Sequence, residues 1–369
     1  MMQLIFFAVS ILVLFVGHAI FWYVGVHFLN IDGQSNRLIL ALIVGGLFFS
    51  TIAASYLIHQ WDNFFTRWFY MLSGFWMGLL LNFGLMTALI LLIKLADGIF
   101  GLTTPVLYLK IIFFGGALII SLIGVYRAWS PVVKHYDIAI KDLPAAWENK
   151  TIVHVSDVHL GPVYRVNFFS RLVKKINSLS PEAVFITGDL FDGMEANFSW
   201  LPRPLSELNP PRGVYYGFGN HDLYLGFNQA VKFIGDSSVQ ILDNKMTVID
   251  GLQIIGISYT FDSSFDLEEA ILNQIAYSQA QPSLLLLHVP KNTELAKKVG
   301  IDLQLSGHTH DGQLWPLNLL AKWTNQGHGY GLFKNGDFSL VVNGGAGTWG
   351  PPMRTAARSE IVTITLKKK

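Results

Sequence analysis

The 369-residue sequence contains no cysteine, which excludes a disulfide framework and thiolate metal ligands. Any metal must therefore be held by His, Asp, Glu or Asn. Charge is also scarce: 14% of the residues are charged, whereas about 25% is usual for a soluble protein. The net charge is +1, and no basic stripe occurs beyond Lys367, Lys368 and Lys369, so nothing indicates a nucleic-acid partner. With 51% hydrophobic residues, part of the chain must lie in lipid.

Four long apolar runs near the N-terminus account for this composition. The first three are each long enough to cross a hydrocarbon core of about 30 Å, and the fourth can be extended across Lys110. A cleaved signal peptide is disfavoured because the first run lacks a basic segment before it and exceeds the usual length of roughly 7–15 residues. We predict a multi-pass integral membrane protein, in contact with membrane lipids, with four helices within residues 1–129. The runs are residues 4–24, 38–58, 69–93 and 111–125.

The charges that flank the apolar runs weakly favour a cytoplasmic position for the domain that follows them. An even number of spans places both termini on one side, and the basic residues near the spans favour that side by four to three under the positive-inside rule. They are Arg67, Arg127, Lys134 and Lys141 against Arg37, Lys94 and Lys110. His18 lies well inside a span, where an ionisable group is a functional candidate. A neutral, helix-packing histidine is the favoured interpretation.

The rest of the chain is typical of an α/β domain. We expect a polar linker at residues 130–150 and one globular domain at residues 151–369, in which short β-branched strands alternate with amphipathic helices. A helix is predicted at residues 165–179. Strands are predicted at residues 151–156, 183–187, 213–218, 252–257, 283–287, 303–306, 338–343 and 361–366.

Five polar clusters each come directly after a predicted strand. The C-terminal ends of strands are where α/β sheets place their ligands. Residues i and i+2 of an extended segment point the same way, so Asp157 and His159 can face one centre, and His308 and His310 can share a centre or divide between two. The clusters contain Asp157 and His159; Asp189; Asn220, His221 and Asp222; His288; and His308 and His310.

Oxygen and imidazole ligands without sulfur suit Mn²⁺, Fe, Zn²⁺ or Mg²⁺ rather than copper or an iron–sulfur cluster. Two such ions about 3.5–4 Å apart can clamp a phosphate ester, hold a bridging hydroxide and stabilise charge during displacement. Taken singly, Asp157, Asp189 and Asn220 could be turn residues, and His288 could be a core histidine. Together these alternatives require seven or more coincidences, which favours a site.

These clusters, in this order, resemble the calcineurin-like metallophosphoesterase superfamily, whose motifs are D-x-H, G-D, G-N-H-[DE], H and G-H-x-H. The resemblance covers residues 151–366 and implies two packed mixed β-sheets flanked by helices, with two divalent metal ions, Mn²⁺ foremost. It implies that Asp189 bridges the two ions, and that His221 protonates the leaving oxygen while Asp222 orients its imidazole. The ligands it implies are Asp157, His159 and His310 for one ion, and Asn220, His288 and His308 for the other.

Residues 306–313 and 345–354 resemble the membrane-associated branch of this superfamily. This branch includes YkuE- and YaeI-like phosphoesterases and transmembrane proteins with a metallophosphoesterase domain, and some members resemble pyrophosphatases of the lipid A pathway. Asp311 stands where the branch commonly has glycine. Arg354 could pair with a substrate phosphate or be structural, and His328 could line the pocket or belong to a glycine-rich turn. We expect His154 to be structural and Asp192 to support the site or form a turn.

The sequence thus predicts a membrane-anchored hydrolase of a phosphoester or pyrophosphate bond, with a lipid-linked substrate as one candidate. The alternative is a membrane sensor or transporter regulated by a metal-binding phosphoesterase-like domain. Transport is disfavoured because no acidic residue lies in the middle of a span. The sequence leaves the oligomeric state open.

Overall fold

The computed structural model describes residues 2–29, 31–194, 197–260, 265–275 and 277–369. Contacts divide the chain into two units. The helical unit comprises Met1–Tyr126 and Gly350–Met353, and the α/β unit comprises Arg127–Trp349 and Arg354–Lys369.

The helical unit confirms the predicted helical N-terminal region. Its helices are α1 (Met2–Leu29), α2 (Gln34–Gln60), α3 (Phe64–Phe100), α4 (Val106–Lys110) and α5 (Ala117–Trp129), with a π-helical turn at Ile111–Gly116 joining the last two. Among the described residues, four helical stretches are long and apolar enough to cross a membrane: Ala8–Phe28, Gln34–Gln60, Phe64–Phe100 and Val106–Trp129. These stretches indicate membrane association.

Helix α3, with 37 residues, extends beyond the predicted run at both ends. The Asn63 side chain accepts hydrogen bonds from the backbone N–H groups of Phe65 and Thr66, which caps the first turn. Gly101 ends the helix with a left-handed conformation, φ 64°. Polar capping therefore sets the ends of α3, whereas hydropathy located only its centre.

His18 connects two helices of this unit. Its Nδ1 lies 2.8 Å from the Leu14 carbonyl oxygen, and the Trp76 indole N–H donates to its Nε2 at 2.9 Å. Because both ring nitrogens have partners within the unit, the contacts agree with a helix-packing histidine.

Two six-stranded mixed sheets form the centre of the α/β unit, as predicted. The first sheet has the order β1-β12-β2-β3-β4-β5 and the second β10-β11-β9-β8-β7-β6. The strands are β1 (Val132–Ile140), β2 (Thr151–Val155), β3 (Val184–Thr187), β4 (Val214–Gly217), β5 (Val239–Ile241), β6 (Lys245–Ile249), β7 (Leu252–Ile257), β8 (Ser283–Leu287), β9 (Leu303–Ser306), β10 (Gly331–Asn335), β11 (Phe338–Val342) and β12 (Glu360–Lys368).

Helices cover the outer face of each sheet. Alternate residues of one strand point to opposite faces, so Val184 and Ile186 of β3 pack under α6 (Val166–Ser178) while Phe185 packs between the sheets. The second sheet packs its outer face against α10 (Phe265–Gln274) and α11 (Thr293–Lys298). The helices of this unit are α6 (Val166–Ser178), α7 (Pro202–Ser206), α8 (Asn220–Leu225), α9 (Phe227–Gly235), α10 (Phe265–Gln274), α11 (Thr293–Lys298) and α12 (Leu317–Thr324).

The structure corrects the prediction of a polar linker at residues 130–150, because this segment contains a strand. Nine of its 21 residues form β1, which pairs in parallel with β12 from Val132↔Glu360 to Ile140↔Lys368. Ile138 and Ile140 are buried between the sheets, but Lys134, His135 and Asp137 interrupt the strand with polar residues, which gives it the composition of a linker.

The other strands that the sequence missed are β5, β6 and β10. With β1 they are the four edge strands of the two sheets. An edge strand is partly exposed and carries polar residues, which weakens the hydrophobic signal used to predict it.

Candidate metal centre

The predicted site residues come together at the C-terminal ends of neighbouring strands. Strands β2, β3 and β4 are adjacent in the first sheet, and β8 and β9 are adjacent in the second. The residues that follow them are Asp157 and His159 after β2, Asp189 after β3, Asn220 to Asp222 after β4, His288 after β8, and His308 and His310 after β9.

The backbone at these loops is unusual. Five of the site residues have left-handed φ angles: Asp157 51°, His159 51°, Asp189 50°, His308 70° and His310 50°. Non-glycine residues rarely adopt this conformation, which costs about 1–3 kcal/mol per residue and clusters at functional sites. The prediction of extended D-x-H and H-x-H segments is therefore wrong. The side chains converge because the chain turns sharply at each residue.

Two glycines provide the space for this convergence. A Cβ atom at Gly307 would overlap the side-chain oxygens of Ser156 and Asp157, and one at Gly219 would overlap the Asp189 carboxylate. The carboxylates can approach the neighbouring loops this closely only because these two positions lack side chains.

One group of possible metal ligands consists of Asp157, His159 and His310. His310 Nε2 lies 3.3 Å from Asp157 Oδ1 and 3.0 Å from His159 Nε2. His308, by contrast, belongs to a different group with Asp189 and His288, so the two histidines of the H-x-H motif divide between the groups. The sequence left open whether these two histidines share one centre or divide between two, and the structure places them in separate groups.

A third group, His159, Asp189 and His221, shares one residue with each of the first two, and Asp189 lies between those two. Its Oδ2 atom is 3.2 Å from His288 Nε2 and 3.8 Å from His159 Nε2, while its Oδ1 accepts a hydrogen bond from the His221 backbone N–H. Asn220 extends the second group, since its Oδ1 is 3.0 Å from His308 Nδ1. One carboxylate thus faces both sets of imidazoles.

The side chains fit divalent cations. The facing Nε2 atoms of His159 and His310 cannot both carry a proton at 3.0 Å. Burial lowers the pKa of His308 and of His310 to about 4, which keeps both rings neutral with a lone pair available. His288 differs, because burial is outweighed by the Asp189 carboxylate, which raises the pKa of this histidine to about 10, so a cation bound there would displace that proton. Imidazoles and carboxylates that converge in a buried site are a suitable ligand set for a cation.

The electrostatics of the carboxylates agree with this fit. Burial alone raises the pKa of Asp157 and of Asp189, but the neighbouring imidazoles hold both pKa values below their usual range. For Asp157 the main opposing group is His310, and for Asp189 it is His288. Both carboxyl groups are therefore ionised and able to bind a cation.

Asp222 does not orient the His221 imidazole as the resemblance implies. Its carboxylate accepts hydrogen bonds from the backbone N–H groups of Gly219 at 2.8 Å, Asp189 at 2.9 Å and Phe191 at 3.2 Å. The atom that faces His221 Nδ1 is the carbonyl oxygen of Asp192, at 2.9 Å. The aspartate side chain thus fixes the loops after β3 and β4.

The sequence assigned no role to two aromatic residues beside His221. The Trp349 ring centroid lies 5.5 Å from that of His221, and the Tyr224 centroid lies 5.0 Å from it. Trp349 belongs to the segment that carries the branch resemblance, but a tryptophan alone does not reveal which residue it will contact. Asp192 also supports the site, since its Oδ1 is 3.4 Å from His159 Nδ1.

Arg354 is fully buried and makes structural contacts. Its guanidinium donates to the Gly347 carbonyl oxygen at 2.6 and 2.9 Å, and its Nη2 lies 3.0 Å from His310 Nδ1. These contacts favour the structural alternative over a phosphate contact. His154 is also structural, as expected: its Nε2 lies 2.8 Å from the Thr187 hydroxyl.

Asp311 and His328 belong to none of these possible ligand groups. Asp311 has a left-handed φ of 48°, and burial raises its pKa to about 6. His328 packs its ring against Phe333, with centroids 4.9 Å apart. Neither the backbone conformation and pKa of Asp311 nor the ring contact of His328 identifies a role in binding a phosphate.

Comparison with known proteins agrees with this geometry. Residues 150–312 match the family model described as calcineurin-like phosphoesterase. A metallophosphoesterase of Campylobacter jejuni is 33% identical over 272 residues, which cover 71% of this chain and 72% of that protein. One of Aquifex aeolicus is 32% identical over 245 residues, covering 64% of this chain and 92% of that protein.

A Danio rerio protein named transmembrane protein with metallophosphoesterase domain is 32% identical over 274 residues, covering 68% of this chain. The chain spans 62% of the length of that relative and 60% of the length of a similar Helicobacter pylori protein.

Proposed function

The chain belongs to the calcineurin-like phosphoesterase family, and on this premise we propose that it is a membrane-anchored, metal-dependent hydrolase of a phosphoester or pyrophosphate bond. The observation that carries the proposal is the position of Asp189. Its Oδ2 faces His288 at 3.2 Å on one side and His159 at 3.8 Å on the other, which is the arrangement that a carboxylate shared by two cations requires.

Two divalent cations, when bound, would neutralise charge on the phosphate and lower the pKa of a water molecule. Asp189 would contribute to both sites. Such ligands suit Mn²⁺, Fe, Zn²⁺ or Mg²⁺, and the family resemblance supports Mn²⁺ as the native ion among these. The ligands of one site would be Asp157, His159 and His310, and those of the other Asn220, His288 and His308.

His221 is proposed to protonate the leaving oxygen. The carbonyl oxygen of Asp192 can only accept a hydrogen bond, so His221 Nδ1 carries a proton and donates it at 2.9 Å. This leaves Nε2 to face substrate, and Nε2 can give up a proton only when the ring is a cationic imidazolium. Burial lowers the pKa of His221 against the opposing charge of Asp189, which makes that imidazolium a stronger acid toward a leaving oxygen. His221 is partly exposed, as a residue that must reach a bound ester should be.

The apolar helices would confine this activity to a membrane surface. We further propose four membrane spans with the α/β unit on the cytoplasmic side, a placement supported by the basic residues that flank the spans. Confinement to the surface supports a lipid-linked phosphoester as the substrate.

The test uses purified full-length protein with Mn²⁺ and bis-p-nitrophenyl phosphate. Asp189→Ala should abolish hydrolysis, and His221→Ala should lower the rate by about 10²–10⁴-fold, the usual contribution of a general acid. His135→Ala is the matched control, because this histidine is half exposed on β1 and should retain wild-type activity. Hydrolysis that survives both site substitutions would reject the proposed function.

A further inference from the structure

Helix α12 of the α/β unit turns its apolar side chains to solvent. Leu319, Leu320 and Trp323 are 64%, 54% and 80% exposed, whereas Asn325, directly after the helix, is 6% exposed. The side-chain oxygen of Asn318 is also buried. A surface helix of a globular protein normally buries its apolar side chains, so α12 departs from this rule at its apolar residues.

The exposed side chains form one patch, which we call the α12 patch. Residues three or four apart on a helix are neighbours on its surface, and this spacing places both Leu319 and Leu320 beside Trp323. Trp315 and Leu317, immediately before them, are also exposed. Large contiguous apolar surfaces on proteins mark sites of interaction with another protein or with a membrane.

The connection between the units favours a membrane as the occupant. Only Ser130 and Pro131 separate the end of α5 from the start of β1, and each residue spans at most about 3.6 Å. The α/β unit is therefore tethered by a short connection to helices that membrane association places in lipid, and such a tether gives the bilayer a high effective concentration.

The chemistry of the patch points to the same partner. Tryptophan is enriched where a protein crosses from hydrocarbon to headgroups, and the patch contains Trp323 and has exposed Trp315 immediately before it. Lys322, exposed on the same helix, supplies a cation of the kind that interfacial helices place among lipid headgroups. We propose that the α12 patch inserts into the interfacial layer of the bilayer and forms a membrane contact additional to the apolar helices.

The patch is built next to the candidate metal centre. Helix α12 begins seven residues after His310, and Gln313 between them exchanges two hydrogen bonds of 3.0 Å with the backbone of Trp349. The Trp349 ring in turn packs against His221. Insertion of the patch would thus bring the metal centre close to the headgroup layer. Only this last consequence rests on the proposed hydrolytic function.

The chain has no cysteine, so a single introduced cysteine can carry a fluorescent probe. Trp323→Cys and, as the matched control, exposed Ser238→Cys would each be labelled with an environment-sensitive dye. The full-length variants would be reconstituted in vesicles of phosphatidylcholine and phosphatidylglycerol, with and without nitroxide groups on the acyl chains. We expect a blue-shifted emission at position 323 that the nitroxides largely quench, and water-like, unquenched emission at position 238.

Water-like emission at position 323 would overturn the proposal. So would an apolar environment that nitroxides do not quench, together with cross-linking of Trp323→Cys between two chains, because a second copy would then cover the patch. Hydrolysis of bis-p-nitrophenyl phosphate by the same labelled samples is measured separately. A quenched probe in an inactive protein would reject the hydrolytic function and leave the membrane contact standing, whereas an active protein with a water-exposed probe would reject only the contact.

Discussion

Replacing Asp222 with Asn should loosen the loops of the metal centre rather than merely slow proton transfer. The Asp222 carboxyl group accepts backbone hydrogen bonds from Gly219, Asp189 and Phe191. Burial and the Asp189 carboxylate raise its pKa to about 7, so the comparison is made above about pH 8, where the group is ionised. A hydrogen bond to a charged group contributes about 1.5–3 kcal/mol. Asparagine keeps one acceptor oxygen but turns an N–H group toward at least one of these donors. We expect a loss of about 3 kcal/mol, which lowers Tm by roughly 6–12 °C for a unit of this size.

The assay for Asp222→Asn is thermal unfolding of the full chain in detergent, followed by tryptophan fluorescence, with Mn²⁺ affinity measured by calorimetry. Asp236→Asn, an exposed aspartate after α9, is the control and should behave as wild type. A variant with wild-type Tm and Mn²⁺ affinity but slower turnover would refute the reasoning. That result would support the imidazole-orienting role that the family resemblance implies.

Three further substitutions test other parts of the site and the fold. Gly307→Ala should abolish tight Mn²⁺ binding, because its Cβ would overlap the Asp157 carboxylate; wild-type affinity in calorimetry would contradict this packing. Arg354→Met should weaken Mn²⁺ binding by about 10–100-fold, the usual effect of losing a partner of a metal ligand, since Arg354 contacts His310; unchanged affinity would argue against that contact. Burial raises the pKa of Glu268 to about 7 from 4.5, so the wild type should lose roughly 3 kcal/mol of stability as pH rises through this interval. Glu268→Gln should remove that loss in thermal melts between about pH 5 and pH 8, and an unchanged pH profile would contradict it.

The sequence predicted the parts of the fold that are covered on both faces. Every interior strand of the two sheets was located, because a strand packed against helices on one face and against the other sheet on the opposite face is a continuous apolar run. Strand β8, Ser283–Leu287, is an example, since all of its residues are buried. The four edge strands lack such a run and were missed.

The candidate site was predictable as a set of residues but not as a geometry. The order and spacing of Asp157, Asp189 and His288 relative to strands indicated which side chains would meet. The left-handed backbone at Asp157 and Asp189 could not be inferred, because aspartate adopts that conformation only where the surrounding structure imposes it. The contacts of Asp222 depend on where the loops after β3 and β4 meet, which local sequence does not encode.

The exposure of the α12 patch could not be predicted from the sequence either. Its apolar residues at helical spacing would ordinarily predict a helix packed on the core. Only the exposed fraction of Trp323, 80%, reveals that the apolar face points outward. A pattern identifies an amphipathic helix, but the three-dimensional structure determines which medium meets its apolar face.

The central claim is that Asp189 joins two metal ions, and electron paramagnetic resonance of the Mn²⁺-loaded full chain tests it most directly. We expect two Mn²⁺ ions per chain with a spin-coupled spectrum, and loss of that coupling in Asp189→Ala. A single ion per chain with the spectrum of isolated Mn²⁺, or coupling that persists in Asp189→Ala, would contradict it.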